Sequence, residues 1–214
     1  NNMNILVTGG AGFIGSHTCI ELMKGGFNVI VVDNFCNSSR ESLNRVEYIS
    51  GTPIEFFEID IRNKENLSKI FDSYNISGVI HFAGLKSVEE SMRNPLLYWD
   101  NNLVGTINLL KVMEIFKCKT IVFSSSATIY GNPKTSPIKE TFEIKPLNPY
   151  GITKALIENI LEVISKTYQN NWKIINLRYF NPIGAHESGL IGEEPLNKPN
   201  NLFPYICLVA NGTY

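Results

Sequence analysis

Thr8-Gly9-Gly10-Ala11-Gly12-Phe13-Ile14-Gly15 is the stretch that decides the fold of this chain. It lies between a short apolar run, Ile5-Leu6-Val7, and a helix-like stretch from Ile14 to Lys24 that stops at Gly25-Gly26. The order is strand, glycine turn, helix. Glycines recur at three-residue intervals, Gly9, Gly12 and Gly15. In such a turn the first allows a tight reversal, the second lets backbone approach a pyrophosphate, and the third lets helix pack closely on strand. The helix N-terminus adds unpaired N–H groups and a favourable dipole. A glycine triplet alone is a weak signal, but here a strand, a helix and an acidic residue at the end of the second strand accompany it. That residue, Asp33, stands eighteen positions after Gly15, where a carboxylate accepts hydrogen bonds from an adenosine ribose and repels a 2′-phosphate. Asn34 and Phe35 follow, and the next arginine is Arg40, so the expected dinucleotide is NAD rather than NADP.

Outward from the turn the alternation continues. Apolar strands are expected at Val29 to Val32, Ile54 to Glu58, Gly78 to Phe82, Thr120 to Ser124 and Lys173 to Arg178. Between them fall helices around Lys64 to Tyr74, through a long region ending at Met113, and from Pro149 to Tyr168. Strands alternating with amphipathic helices predict an α/β fold, a Rossmann-type doubly wound parallel sheet covered on both faces. From Asn181 the pattern changes to loop rich in Pro, Gly and Asn, with one short helix near Tyr205 to Ala210. The expected division is a dinucleotide-binding domain over 1–180 and, over 181–214, the start of a substrate domain that reads as truncated.

The composition excludes several functions. Of 214 residues 43% are hydrophobic and 18% charged, enough apolar material for a core. Nineteen basic against twenty acidic residues give a net charge of −1 without charge blocks, which leaves no footprint for nucleic acid or anionic lipid. No apolar run approaches the roughly 18 to 20 residues of a membrane span, and Asn1 to Thr8 lacks a basic segment leading into a signal-type apolar stretch. A cytoplasmic protein is expected. Cys19, Cys36, Cys118 and Cys207 are far apart, with neither zinc spacing nor disulfide density, and read as reduced thiols. His17 and His81 read as packed or hydrogen-bonded, and His186 has no partner at metal spacing, so no metal is expected.

Chemistry is carried by Tyr150-Gly151-Ile152-Thr153-Lys154, which follows Asn148-Pro149 and opens a helix. Tyr150 and Lys154 then share one face at i and i+4. A neighbouring ammonium, together with the positive nicotinamide ring of the expected cofactor, stabilises a tyrosinate and draws a phenol toward the range of a general base. Ser124-Ser125-Ser126 closes a strand, and the carboxyl ends of parallel strands form the ligand crevice.

The glycine turn, the Tyr150/Lys154 pair and the segments Asp33 to Ser38, Val79 to Lys86 (Val-Ile-His-Phe-Ala-Gly-Leu-Lys), Asp100 to Gly105, Phe123 to Gly131 and Leu177 to His186 resemble the extended short-chain dehydrogenase/reductase family, in its NAD-dependent epimerase/dehydratase branch. The resemblance covers essentially the whole chain. It implies an isomerase that oxidises a UDP-hexose at C4 and reduces the 4-keto sugar on its other face, interconverting UDP-galactose and UDP-glucose with NAD recycled in place. By the same resemblance Tyr150 is the base, Ser126 shares its proton path, and Lys154 tunes Tyr150 and holds the nicotinamide ribose. Besides Gly9, Gly12, Gly15 and Asp33, the cofactor residues implied are Phe13, Ile14, Asn34, Asn37, Ser38, Asp60, Ile61, Phe82, Ala83, Gly84, Lys86, Asn101, Ser124 and Phe180. Those implied for the nucleotide sugar are Lys86, Ser126, Tyr150, Asn181, Asn201 and Leu202. The two long helices, Pro95 to Phe116 and Pro149 to Tyr168, resemble those that pair as a four-helix bundle in homodimers. The rivals are a nucleotide-sugar 4,6-dehydratase, which needs an acidic pair where this chain has Ala127-Thr128, and a non-catalytic NAD-binding module.

Overall fold

Short β-branched runs become strands and the amphipathic segments between them become crossover helices, giving one six-stranded sheet in the order β3-β2-β1-β4-β5-β6, every pair parallel. The computed structural model describes residues 3–167, 171–195, 199 and 201–213. The strands are β1 (Asn4–Thr8), β2 (Asn28–Asp33), β3 (Glu55–Glu58), β4 (Ile76–His81), β5 (Thr120–Ser126) and β6 (Lys173–Tyr179). The helices are α1 (Phe13–Lys24), α2 (Arg40–Ser50), α3 (Lys64–Ser73), α4 (Val88–Arg93), α5 (Pro95–Tyr98), α6 (Gly105–Ile115), α7 (Pro149–Thr167) and α8 (Leu202–Ala210). Chain order reverses between β1 and β4, so the crevice for a ligand opens above their carboxyl ends.

Alternation along the strands sorts the core into two layers. Leu6, Ile30, Val32, Val79, Ile121 and Phe123 face Leu67 and Phe71 of α3, Leu109 and Met113 of α6, and Ile157 and Leu161 of α7. Val7, Val29 and Val31 face Cys19 and Ile20 of α1 and Leu43 and Val46 of α2. Burying each such side chain contributes roughly 1.5–3 kcal/mol. The four cysteines are free thiols, Cys19 and Cys118 buried. Among the described residues no helix is long and apolar enough to cross a membrane.

Four details depart from the sequence expectation. One face of the sheet is open at β6, where Ile175 (56%) and Leu177 (38%) are exposed, because the connection through α7 covers one face and the chain leaves the sheet after Tyr179. Strand β5 runs two residues further, through Ser126, because β6 continues the ladder with Ser125 opposite Arg178 and Ser126 opposite Tyr179. The long helix contains a π-helical turn, Trp99–Val104, between α5 and α6. Helix α8 begins at Leu202 rather than Tyr205, since Pro204 falls in its first turn, where a missing N–H costs nothing. The expected end of α7 at Tyr168 lies outside the described residues.

Candidate active site

The glycine turn is built for close approach. Gly9 has φ +69°, and a Cβ there would lie 2.7 Å from the Ala83 backbone nitrogen; one on Gly15 would lie 2.3 Å from the Gly9 carbonyl oxygen. Any larger residue would push β1, β4 and α1 apart. Helix α1 starts without a side-chain cap, and its first hydrogen bond runs from Ser16 N–H to Gly12 C=O, so the amides of Phe13, Ile14 and Gly15 are left for a ligand. Asp33 ties this turn to the β2–α2 loop: its carboxylate accepts from Ala11 N–H at 3.0 Å, Phe35 N–H at 2.9 Å and Ser38 Oγ at 2.9 Å. The guanidinium of Arg40 lies 4.7 Å over the Phe56 ring.

Opposite the turn, α7 begins where Asn148 Oδ1 accepts from Gly151 N–H at 2.8 Å, with Pro149 preset for a first helical position. Gly151 lets the helix start press against the turn that follows β5: a Cβ there would come within 3.0 Å of the Thr128 carbonyl. Lys154, 4% exposed, donates from Nζ to the Ser124 carbonyl at 2.7 Å and lies over the rings of Phe123 (4.9 Å) and Tyr150 (5.8 Å). Burial draws its ammonium down to about 8. Burial also pushes the Tyr150 phenol up, and a hydrogen bond with Ser126 works against that rise.

Together these groups line one cleft of about 300 Å³ above the β1/β4 reversal. Every residue expected at the cofactor lines it except Ser38 and Asp60, and so do Lys86, Ser126, Asn181 and Asn201 of the expected sugar contacts. Ser38 lines the adjoining cavity. Asp60, between the lining residues Ile59 and Ile61 in the chain, is held by Arg62 (2.7 Å) and Asn34 (3.0 Å), and the Arg62 guanidinium draws its carboxyl down to about 2. Leu202 is 75% exposed and lines neither cavity. Among the described residues no three His, Cys, Asp or Glu side chains gather as metal ligands.

Several supporting residues escaped sequence reasoning. Buried Glu158, one turn beyond Lys154 on α7, forms a two-pronged pair with Arg178 of β6 (3.0 and 2.7 Å), and Arg178 also donates to Tyr130 Oη at 2.7 Å. An acidic residue in register with Tyr150 and Lys154 was the available signal. Asn102, 2% exposed in the π-helical turn, bonds both N–H and C=O of Leu85 (2.8 and 2.9 Å) and Thr153 Oγ1 (3.3 Å), fixing the Gly84 loop to α7. His81 bridges Thr8 Oγ1 (2.6 Å) and Thr106 Oγ1 (2.8 Å); because Thr106 donates to the Asn102 carbonyl, His81 Nε2 carries the proton. Glu193 reaches across the cleft mouth to Lys86 Nζ at 3.7 Å and accepts from Asn201 Nδ2 at 3.0 Å.

The NAD dependent epimerase/dehydratase family description matches residues 5–208. The chain belongs to that family. Among its similar proteins, the UDP-glucose 4-epimerase of Bacillus subtilis is 54% identical over 210 residues, covering 98% of this chain and 62% of the relative. The bifunctional protein gal10 of Schizosaccharomyces pombe is 56% identical, covering 97% of this chain and 30% of the relative. The chain thus spans about three fifths of the epimerase and under a third of gal10. A solved UDP-glucose 4-epimerase from Bifidobacterium longum, in complex with NAD+ and UDP, superposes with TM-score 0.95 at 50% identity over 99% of this chain and 63% of that one. For the epimerase from Stenotrophomonas maltophila, with bound NAD and formylated UDP-arabinopyranose, the TM-score is 0.96 at 46% identity, over 100% of this chain and 63% of that one.

The family's dinucleotide fits the residues present. A Cβ on Gly12 would meet only the Gly9 carbonyl, at 3.3 Å, so the floor of the cleft is open there. The Ser125 hydroxyl, on a residue 2% exposed that lines the cleft, is buried without a partner.

Proposed function

We propose that this protein is an isomerase that interconverts UDP-galactose and UDP-glucose by reversible oxidation at sugar C4, with NAD recycled in the cleft. The observation that carries it is the convergence of Ser126, Tyr150 and Lys154 on one wall of a cleft whose other wall is the uncapped glycine turn. When bound, NAD supplies the acceptor, and later the donor, of the C4 hydride. Tyr150 takes the proton of the sugar 4-hydroxyl, and Ser126, hydrogen-bonded to the phenol, shares its proton path. Lys154, an ammonium buried behind the Tyr150 ring, favours the phenolate that results. The amides of Phe13, Ile14 and Gly15 hold pyrophosphate, Asp33 the adenosine ribose, and Asp60 and Ile61 lie by the adenine. Lys86, Asn181 and Asn201 orient the nucleotide sugar, with Leu202 beside them, in a substrate domain that begins near residue 181.

The relatives named for this activity support the substrate, as does the lack of a carboxylate at Ala127-Thr128 for eliminating water. We place the protein in the cytoplasm as a homodimer paired through the long helices, where Leu96, Leu97, Val104 and Val163 are exposed. Proton NMR of UDP-galactose incubated with the protein and NAD tests the activity. Growth of UDP-glucose anomeric signals without net NADH is expected; a 6-deoxy-4-keto product or an unchanged spectrum refutes it.

A further inference from the structure

The Ser126 hydroxyl is held from one side by a single residue. Its oxygen accepts from Thr128 N–H at 3.2 Å and from Thr128 Oγ1–H at 2.8 Å. A hydroxyl has two lone pairs and one proton, so with both lone pairs filled Ser126 is left as a donor. Ser126 is 8% exposed, and the cleft it lines is where Tyr150 lies. We propose that Thr128 is a positioning residue that sets the direction of the Ser126–Tyr150 hydrogen bond, making Ser126 the donor and the phenol oxygen the acceptor.

The direction has a chemical consequence. An acceptor lone pair on Ser126 would stabilise the protonated phenol, whereas a donated proton stabilises the phenolate that must form when Tyr150 acts as a base. Ser126 is the hydrogen-bond partner that lowers the Tyr150 phenol. Thr128 is well placed to hold it, since the turn Ala127–Tyr130 is pinned by its own Ser126 cap and by the bond from Lys145 N–H to the Ile129 carbonyl at 2.8 Å. The inference rests on Tyr150 being the base, as proposed above, but its test does not need the sugar.

The test is the titration of Tyr150 in the NAD-loaded protein, followed by near-ultraviolet tyrosinate absorbance. Subtracting the matching Tyr150→Phe protein isolates this phenol from the other tyrosines. Thr128→Val keeps the backbone N–H and removes the hydroxyl; Thr128→Ser keeps both. The valine variant is expected to titrate higher by roughly half to one pH unit, as suits partial loss of a hydrogen bond to a charged group. The serine variant should superpose on the parent. A valine titration overlaying the parent overturns the proposal, as does a serine variant displaced as far as valine. Where valine disturbs the turn, seen as lost NAD binding, Thr128→Ala takes its place with the same expectations. If the titrations shift as expected while no protein in the series converts UDP-galactose, the proposal stands and the epimerase assignment fails.

Discussion

Replacing Lys154 by methionine is expected to make the protein more stable and inactive. The ammonium is 4% exposed, with one hydrogen bond and two ring faces as partners, and burial takes it from its usual 10.5 to about 8. At pH 7 the charge is kept in both folded and unfolded chains, so that difference is a folding cost on the order of 3 kcal/mol. Methionine fills a similar length without charge, and losing the bond to the Ser124 carbonyl returns about 1 kcal/mol. The net expectation is a gain of about 2 kcal/mol. The pH dependence checks the cause. The folded pKa lies below the unfolded one, so between about 8 and 10.5 the unfolded chain binds the extra proton. The parent therefore gains stability as pH rises through that window, and the gap to the variant closes. Urea unfolding followed by far-ultraviolet circular dichroism, at neutral pH and near the top of the window, measures both. A variant no more stable than the parent at neutral pH, or a gap that does not change with pH, refutes the burial cost.

Other perturbations separate the supports of the site. Gly15→Ala, whose Cβ would sit 2.3 Å from the Gly9 carbonyl, should cost about 1–3 kcal/mol in overpacking and weaken NAD binding, both readable by thermal shift with and without cofactor; unchanged NAD affinity counts against the packing role. Arg178→Met leaves the Glu158 carboxylate, 5% exposed, without its cation and should destabilise by about 3–5 kcal/mol, with most of the loss recovered on adding Glu158→Leu; no recovery in urea unfolding would mean the pair is not the cause. Burial and then the Lys154 charge push the His81 imidazole down to about 3, below its usual 6.5, so its neutral form contributes stability above pH 6.5 that is lost as pH falls, by up to about 1.4 kcal/mol per unit. His81→Asn should flatten stability against pH just below 6.5, and an identical slope would remove the assignment.

The parts legible in the sequence were those written in local spacing. Ile5 to Gly15 spelled out strand, turn and helix within eleven residues, and Tyr150 to Lys154 put two groups on one helical face. What stayed hidden depends on pairs the fold brings together: Glu158 with Arg178, Asn102 with Leu85 and Thr153, Glu193 with Lys86 and Asn201. No periodicity marks such partners. The π-helical turn at Trp99–Val104 was equally hidden, since a 3.6-residue pattern runs through it without a break, yet it aims Asn101 at the cleft and Asn102 at the Gly84 loop. The Arg62 and Asn34 partners that hold the Asp60 carboxylate are likewise brought together only by the fold.

The central claim is that Tyr150 is the base of a C4 epimerisation. Its most direct test sets the protein beside Tyr150→Phe, each with NAD and UDP-galactose, and follows the anomeric protons by NMR while checking that both retain NAD. UDP-glucose forming only in the protein that keeps its phenol is the predicted result. Equal conversion by the two proteins would contradict it.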